Sequence, residues 1–135
     1  MLETNVQNLA VTTNQTIAFG ANALQTGCTV THTAGSTAVS LNSPGIYEVA
    51  FNAYGITTAA GAFGAQLAVN GTADSTAAAS ATTSAASDTA AISFTKLIRV
   101  APSCACVNNG KTLTVIYTGS AGTIDNANLI VTKLK

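Results

Sequence analysis

One histidine, three cysteines and five carboxylates are the side chains of this 135-residue chain whose types could carry chemistry. His32 sits between threonines in Val30-Thr31-His32-Thr33. A Ser-His-Asp or Cys-His relay needs a second member held against the imidazole, and no convincing partner stands near it in sequence. His32 therefore reads as a strand histidine whose ring is hydrogen-bonded or packed near an interface; the sharper alternative is three rings meeting on a trimer axis around an ion. Cys104-Ala105-Cys106 is a C-x-C pair, not the C-x-x-C of redox or zinc sites, and no second pair completes four ligands. Residues two apart on a strand share a face, so both thiols would point one way. With Cys28 they form an odd set, read as small buried residues or free thiols of a reducing compartment. A disulfide from Cys28 to one of the pair, or between subunits, stays open. Glu3, Glu48, Asp74, Asp88 and Asp125 are scattered over different segments, with no EF-hand spacing. Hydrolysis by paired carboxylates needs two acids held across a cleft, and nothing in the pattern requires one. No residue stands out as catalytic, cofactor-binding or metal-ligating, and the expected protein is not an enzyme and takes no cofactor. Asn14-Gln15-Thr16 and Asn70-Gly71-Thr72 match the glycosylation sequon; Asn70 is better explained by a turn.

The composition narrows the partners. Charged residues make up 7% of the chain at zero formal net charge, against roughly 25% in an ordinary soluble domain. A surface so poor in charge favours association, so much of it is expected to be covered by copies of the chain or by a larger assembly. Lys96, Arg99, Lys111, Lys133 and Lys135 are dispersed and balanced by the acids, which argues against nucleic acid as a partner. No run approaches the ~20 apolar residues of a membrane-spanning helix. Met1-Leu2-Glu3-Thr4-Asn5 has neither the basic nor the apolar region of a Sec-type leader. The expectation is a cytoplasmic product that leaves, if it does, within a particle or by lysis.

Only short extended elements are on offer to position these groups. In Ser43-Pro44-Gly45-Ile46-Tyr47-Glu48-Val49-Ala50-Phe51-Asn52-Ala53-Tyr54 a Pro-Gly turn precedes strict alternation, which places Tyr47, Val49, Phe51 and Ala53 on one strand face. Glu48 falls on the other face, at solvent or a subunit interface. Gln15 to Phe19 predicts a short strand closed by Gly20-Ala21-Asn22. Gly27 to Thr33 and Thr37 to Leu41 predict a hairpin. Phe63, Ala65, Leu67 and Val69 alternate up to Asn70-Gly71, the dipeptide of a type I′ turn, so a strand returns through Ala-, Ser- and Thr-rich residues 72 to 81. Helix is the rival there, opposed by the Ser and Thr interruptions and by the lack of a bulky stripe. Residues 88 to 100, then Leu113, Val115 and Tyr117 after Asn108-Asn109-Gly110, and finally Ala127, Leu129 and Val131 complete eight to ten strands. Their even spacing predicts an antiparallel jelly-roll β-sandwich. Its core is expected to hold Tyr47, Val49, Phe51, Leu67, Val69, Phe94, Leu113, Val115 and Leu129, with Ile46, Ala50, Ile116 and Ile130 facing away. Residues 1 to 14, which lack alternation, are read as an N-terminal arm outside a jelly-roll domain spanning 15 to 135.

Thr31-His32-Thr33-Ala34-Gly35-Ser36-Thr37, Pro44-Gly45-Ile46-Tyr47, Leu67-Ala68-Val69-Asn70-Gly71 and Ala127-Asn128-Leu129-Ile130-Val131, in that order and spacing, resemble the C1q/TNF-like jelly-roll modules of bacteria and their phages. They are similar in particular to the C-terminal domain of the collagen-like glycoprotein of the spore exosporium. The resemblance implies a compact homotrimer, each jelly-roll packing on its neighbours around a threefold axis. No Gly-X-Y repeat precedes the domain, so the resemblance points to a structural virion protein, as capsid decoration or head or tail fibre component, rather than to a spore filament. The expected partners are two further copies and other virion or particle proteins, with no nucleic acid and no membrane. The alternative is a glycan- or receptor-binding module of a spore or cell surface, for which exposed Tyr54 or Tyr117 would speak. A cupin-type metalloenzyme ranks last, since it needs several histidine ligands.

Overall fold

Pro44 and Gly45 open the longest strand because Gly45 takes a φ of 147° and lies so close to the chain end that a Cβ would run into the carbonyl of Lys135. From there β6, Gly45–Thr57, runs through the middle of the molecule. Its alternation is realised, with Tyr47, Val49, Phe51 and Ala53 buried and Glu48, Asn52 and Tyr54 exposed. The structure, a computed structural model, describes residues 1–102 and 110–135. Among them are eleven strands and no helix. Besides β6 they are β1 Leu2–Val11, β2 Gln15–Thr16, β3 Ala21–Gln25, β4 Val30–His32, β5 Val39–Leu41, β7 Gly61–Val69, β8 Thr72–Thr83, β9 Thr89–Val100, β10 Lys111–Tyr117 and β11 Gly122–Lys133.

They form two antiparallel sheets, in the orders β3-β1-β11-β6-β9 and β4-β5-β10-β7-β8, with β2 attached to β10. Each sheet turns its apolar positions inward, and the core lies between them, as expected for a jelly-roll. Of the predicted core, Tyr47, Val49, Phe51, Leu67, Phe94, Leu113, Val115 and Leu129 are buried. Val69 is only partly so, because it ends β7 at the hairpin. That hairpin is the one the dipeptide predicts: Asn70 and Gly71 have φ of 52° and 82°, and β8 returns as a strand rather than a helix. The predicted hairpin before β6 also forms, Val30 facing Leu41 and His32 facing Val39.

Three readings change. Residues 1 to 14 are not an arm outside the jelly-roll. β1 lies inside the first sheet, paired with β11 from Leu2↔Val131 to Val11↔Gly122 and with β3 on its other side. Leu2, Thr4 and Val11 are buried. Alternation is invisible in this stretch because its phase slips once: Leu2 and Thr4 face inward at even positions, Leu9 and Val11 at odd ones. The slip occurs at Asn8, whose φ is 51°, beside the β11 bulge at Asp125. Asn is among the few residues that tolerate such a φ. Gly20-Ala21-Asn22 is not the end of a strand, since β3 begins at Ala21. The strand read over 15 to 19 shrinks to β2, although Ile17 and Phe19 are fully buried. The Ile17 N–H there donates to the Val115 carbonyl at 2.8 Å. The Asn108-Asn109 part of the predicted turn, like Cys104 and Cys106, lies outside the described residues.

Both open edges of the sandwich carry polar ties between the sheets. At one edge Lys96 on β9 reaches Asp74 on β8 at 3.5 Å and the Thr76 hydroxyl at 2.5 Å. The Thr76 hydroxyl and amide, desolvation working against them and Lys96 adding to them, hold the Asp74 carboxyl below its usual value of 3.8. A depressed carboxylate stabilises the fold above its unfolded-state value, and that contribution is lost as pH falls through the depressed one. Asp74→Asn is therefore expected to lower stability slightly near neutrality and to converge with the native chain below about pH 4, which flattens the acid limb of its stability profile. Denaturant titrations across that range measure it, and an unaltered acid limb would dismiss the tie.

Candidate functional site

The side chains singled out for chemistry are not brought together. Among the described residues no three His, Cys, Asp or Glu side chains form a group able to hold a metal ion. Cys28 is an exposed free cysteine on the bend before β4. Glu48 is exposed on β6, as expected of its face. His32 does what a packed strand histidine does. It is 6% exposed, sits edge-on to Phe19 with ring centroids 6.3 Å apart, and spends both ring nitrogens inside its own protomer. Both nitrogens are engaged within the chain, which favours the packed reading over an axial ion. Tyr117 is also buried, its hydroxyl donating to the Ser120 carbonyl, and burial raises its phenol above the usual 10.0. Of the two tyrosines offered as binding aromatics, only Tyr54 is exposed, at 47%.

What the fold does assemble is a face. The outer side of the β3-β1-β11-β6-β9 sheet is built from the positions that alternate with the core, and strand register sorts them into rows. Asn5, Asn128, Asn52 and Ser93 lie directly opposite one another across β1, β11, β6 and β9. The Asn128 Nδ2 donates to the Asn52 Oδ1 at 3.3 Å. The next row along is Gln7, Asn126, Tyr54 and Ala91. A groove of about 330 Å³ opens there, lined by Asn52, Tyr54, Ala91 and Ser93 with Ala53 and Ile92 beneath. On the other side of the amide row stand Glu3, Ile130, Ala50 and Thr95, and beyond them Thr132, Glu48 and Leu97. Ile46, Ala50 and Ile130 are half-buried in the single chain, and Leu97 is 58% exposed.

This is a broad surface with an apolar half and an amide half. Glu3, Glu48 and Arg99 are its only charges in the rows from Ile46–Arg99 to the amides. Such a surface offers van der Waals contact and uncharged hydrogen bonding, the chemistry of association rather than of bond making or breaking. Glu48 and the outward positions of β6 were legible from alternation. The amide row was not, because its members are 47 and 76 residues apart in sequence (5 to 52, 52 to 128) and only register aligns them.

No protein-family model matches the sequence, and no curated protein matches it significantly. Solved structures do match. Eiger TNF from S. frugiperda superimposes with a TM-score of 0.70 at 12% identity, over 98% of this chain and 92% of that one. The globular domain of zebrafish complement 1qA protein gives 0.66 at 7% identity, over 98% and 97% of the two chains. Murine APRIL, at pH 5.0, gives 0.54 at 10% identity, over 98% of each. The two-sheet order described above and these full-length superpositions together identify the fold of this chain as the C1q/TNF-like jelly-roll.

Proposed function

We propose that the chain is a structural homotrimer that assembles through the outer face of the β3-β1-β11-β6-β9 sheet and serves as a decoration or fibre component of a virion or similar particle. The observation that carries the trimer is that face itself. Leu97 and Tyr54 stand out from it, half-buried Ile46, Ala50 and Ile130 lie among them, and its few charges leave little to keep it in water. Apolar area removed from water there contributes ~25 cal/mol per Å², and closed cyclic symmetry leaves no sticky patch to propagate. The trimeric packing implied by the C1q/TNF-like resemblance supports the same reading. The particle role rests on the low overall charge and on a site with contact chemistry but no reactive group.

Ala50→Arg tests the assembly, because it places a charge between Ile130 and Thr95 while leaving the core untouched. The native chain should sediment at about three times 13.4 kDa and the variant at one chain, with circular dichroism unchanged; a native monomer in dilute buffer sinks the trimer. Mass spectrometry of purified particles tests the location. A second reading is favoured by Tyr54, whose exposed ring beside Asn52, Asn126 and Gln7 could stack on a sugar and hydrogen-bond its hydroxyls. Trimer formation that shields Tyr54 from solvent excludes it, and a glycan array on the Ala50→Arg variant measures it directly.

A further inference from the structure

Among the described residues, every hydrogen-bonding neighbour of the His32 imidazole presents an acceptor to it. Its Nε2 lies 2.9 Å from the Ser36 carbonyl, which can only accept. Its Nδ1 lies 2.6 Å from the Asn22 Oδ1, and the orientation of that amide is set elsewhere: the Asn22 Nδ2 donates to the His32 carbonyl at 2.7 Å. Turning the amide round would put its oxygen against that carbonyl. The third neighbour, Thr4 Oγ1, is 3.4 Å from Nδ1 and already donates its hydrogen to the Ala21 carbonyl at 2.7 Å, so toward the ring it too presents a lone pair. A neutral imidazole has one N–H and one bare nitrogen. Whichever nitrogen carried the hydrogen, the other would set its lone pair against an acceptor in a buried site. Only the ring with two N–H groups satisfies every partner.

These contacts join the two sheets. His32 belongs to β4 at the edge of one sheet, Asn22 to β3 at the edge of the other, and Thr4 to β1 beside it. We propose that His32 is a proton-dependent clasp, closing the β3/β4 edge of the sandwich when the ring carries two hydrogens and loosening it as pH rises. The charges on the elements around it are few. β3, β4, β5 and the 33–38 loop carry none; Glu3 lies on the opposite face of β1 from Thr4, β11 contributes Asp125 and Lys133, and the Met1 amino group binds the Thr26 carbonyl. Among the described residues, Cys28 is the one other titratable group on this edge. Among the described residues the only ion pair is Lys96 with Asp74, at the far edge, so the acceptors that hold the ring are the uncharged ones named above. Folding that requires the extra hydrogen binds more protons than the unfolded chain, and stability then falls as pH rises. The effect is sought around neutrality, away from the acid limb to which Asp74 contributes.

Two measurements on the intact chain test this. In nitrogen-15 spectra at about pH 7, both ring nitrogens of His32 should appear protonated; a ring with one bare nitrogen there overturns the clasp. The folded-to-unfolded ratio from denaturant titration should drop between about pH 5 and 8, by at most about tenfold per pH unit, the limit for one proton. A flat or rising native profile overturns it, as does His32→Gln retaining the native slope. Should His32→Gln fail to fold, Asn22→Ala keeps the ring and removes its shorter Nδ1 acceptor, and its slope should be shallower than the native one; an unchanged slope counts against the proposal.

Discussion

Deleting residues 1–14 is expected to yield a chain that does not fold. β1 is an interior strand, so its loss strips β11 of one neighbour and leaves β3 without the strand it pairs with in the first sheet. It also removes Leu2 and Val11 from the core, at 0% and 2% exposure, and Thr4 from beside His32. Burying a Leu or Val side chain contributes about 1.5–3 kcal/mol each, and the partly buried Val6 and Leu9 go with them. Against a whole-domain stability of roughly 5–15 kcal/mol, these losses together with a row of unpaired backbone groups on β11 leave little margin. Circular dichroism and amide dispersion of a chain beginning at Gln15 measure the outcome. A cooperative unfolding transition in that truncation would show that the sandwich closes without β1.

Phe51→Ala is expected to cost about 3–5 kcal/mol. Phe51 is 1% exposed at the centre of β6, opposite Leu129 on β11 and Phe94 on β9. Its ring stacks on that of Phe94, centroids 5.2 Å apart and planes 28° from parallel. Truncation removes both the transfer energy and the stacked partner, and the sheets on either side are held by their ladders and cannot collapse onto the space. Chemical denaturation at matched chain concentration gives the difference. Matching matters because an assembling chain gains apparent stability with concentration. A loss below about 1 kcal/mol would mean that the site relaxes around the hole or that the register is wrong.

The sequence by itself determined the architecture. Alternation in β6, β10 and β11 and the Asn70-Gly71 turn are local signals, each written in a few neighbouring residues, and together they specify strands, hairpins and the inward face. His32 as a packed strand histidine and Glu48 as a surface group were legible for the same reason. Where the local signal is interrupted, it misled. β1 lost its alternation to the phase slip at Asn8, and that slip is accommodated only because β11 bulges at Asp125 on the strand beside it. Ile17 and Phe19 are core residues with hardly any strand around them. The tertiary structure alone decided what meets what. The amide row of Asn5, Asn128 and Asn52 exists through register, and the acceptor cage of His32 exists because β3 and β4, edges of different sheets, close on one another. Periodicity reports which way a side chain points; contacts between residues distant in the chain depend on how whole strands are paired and stacked, which no short stretch encodes.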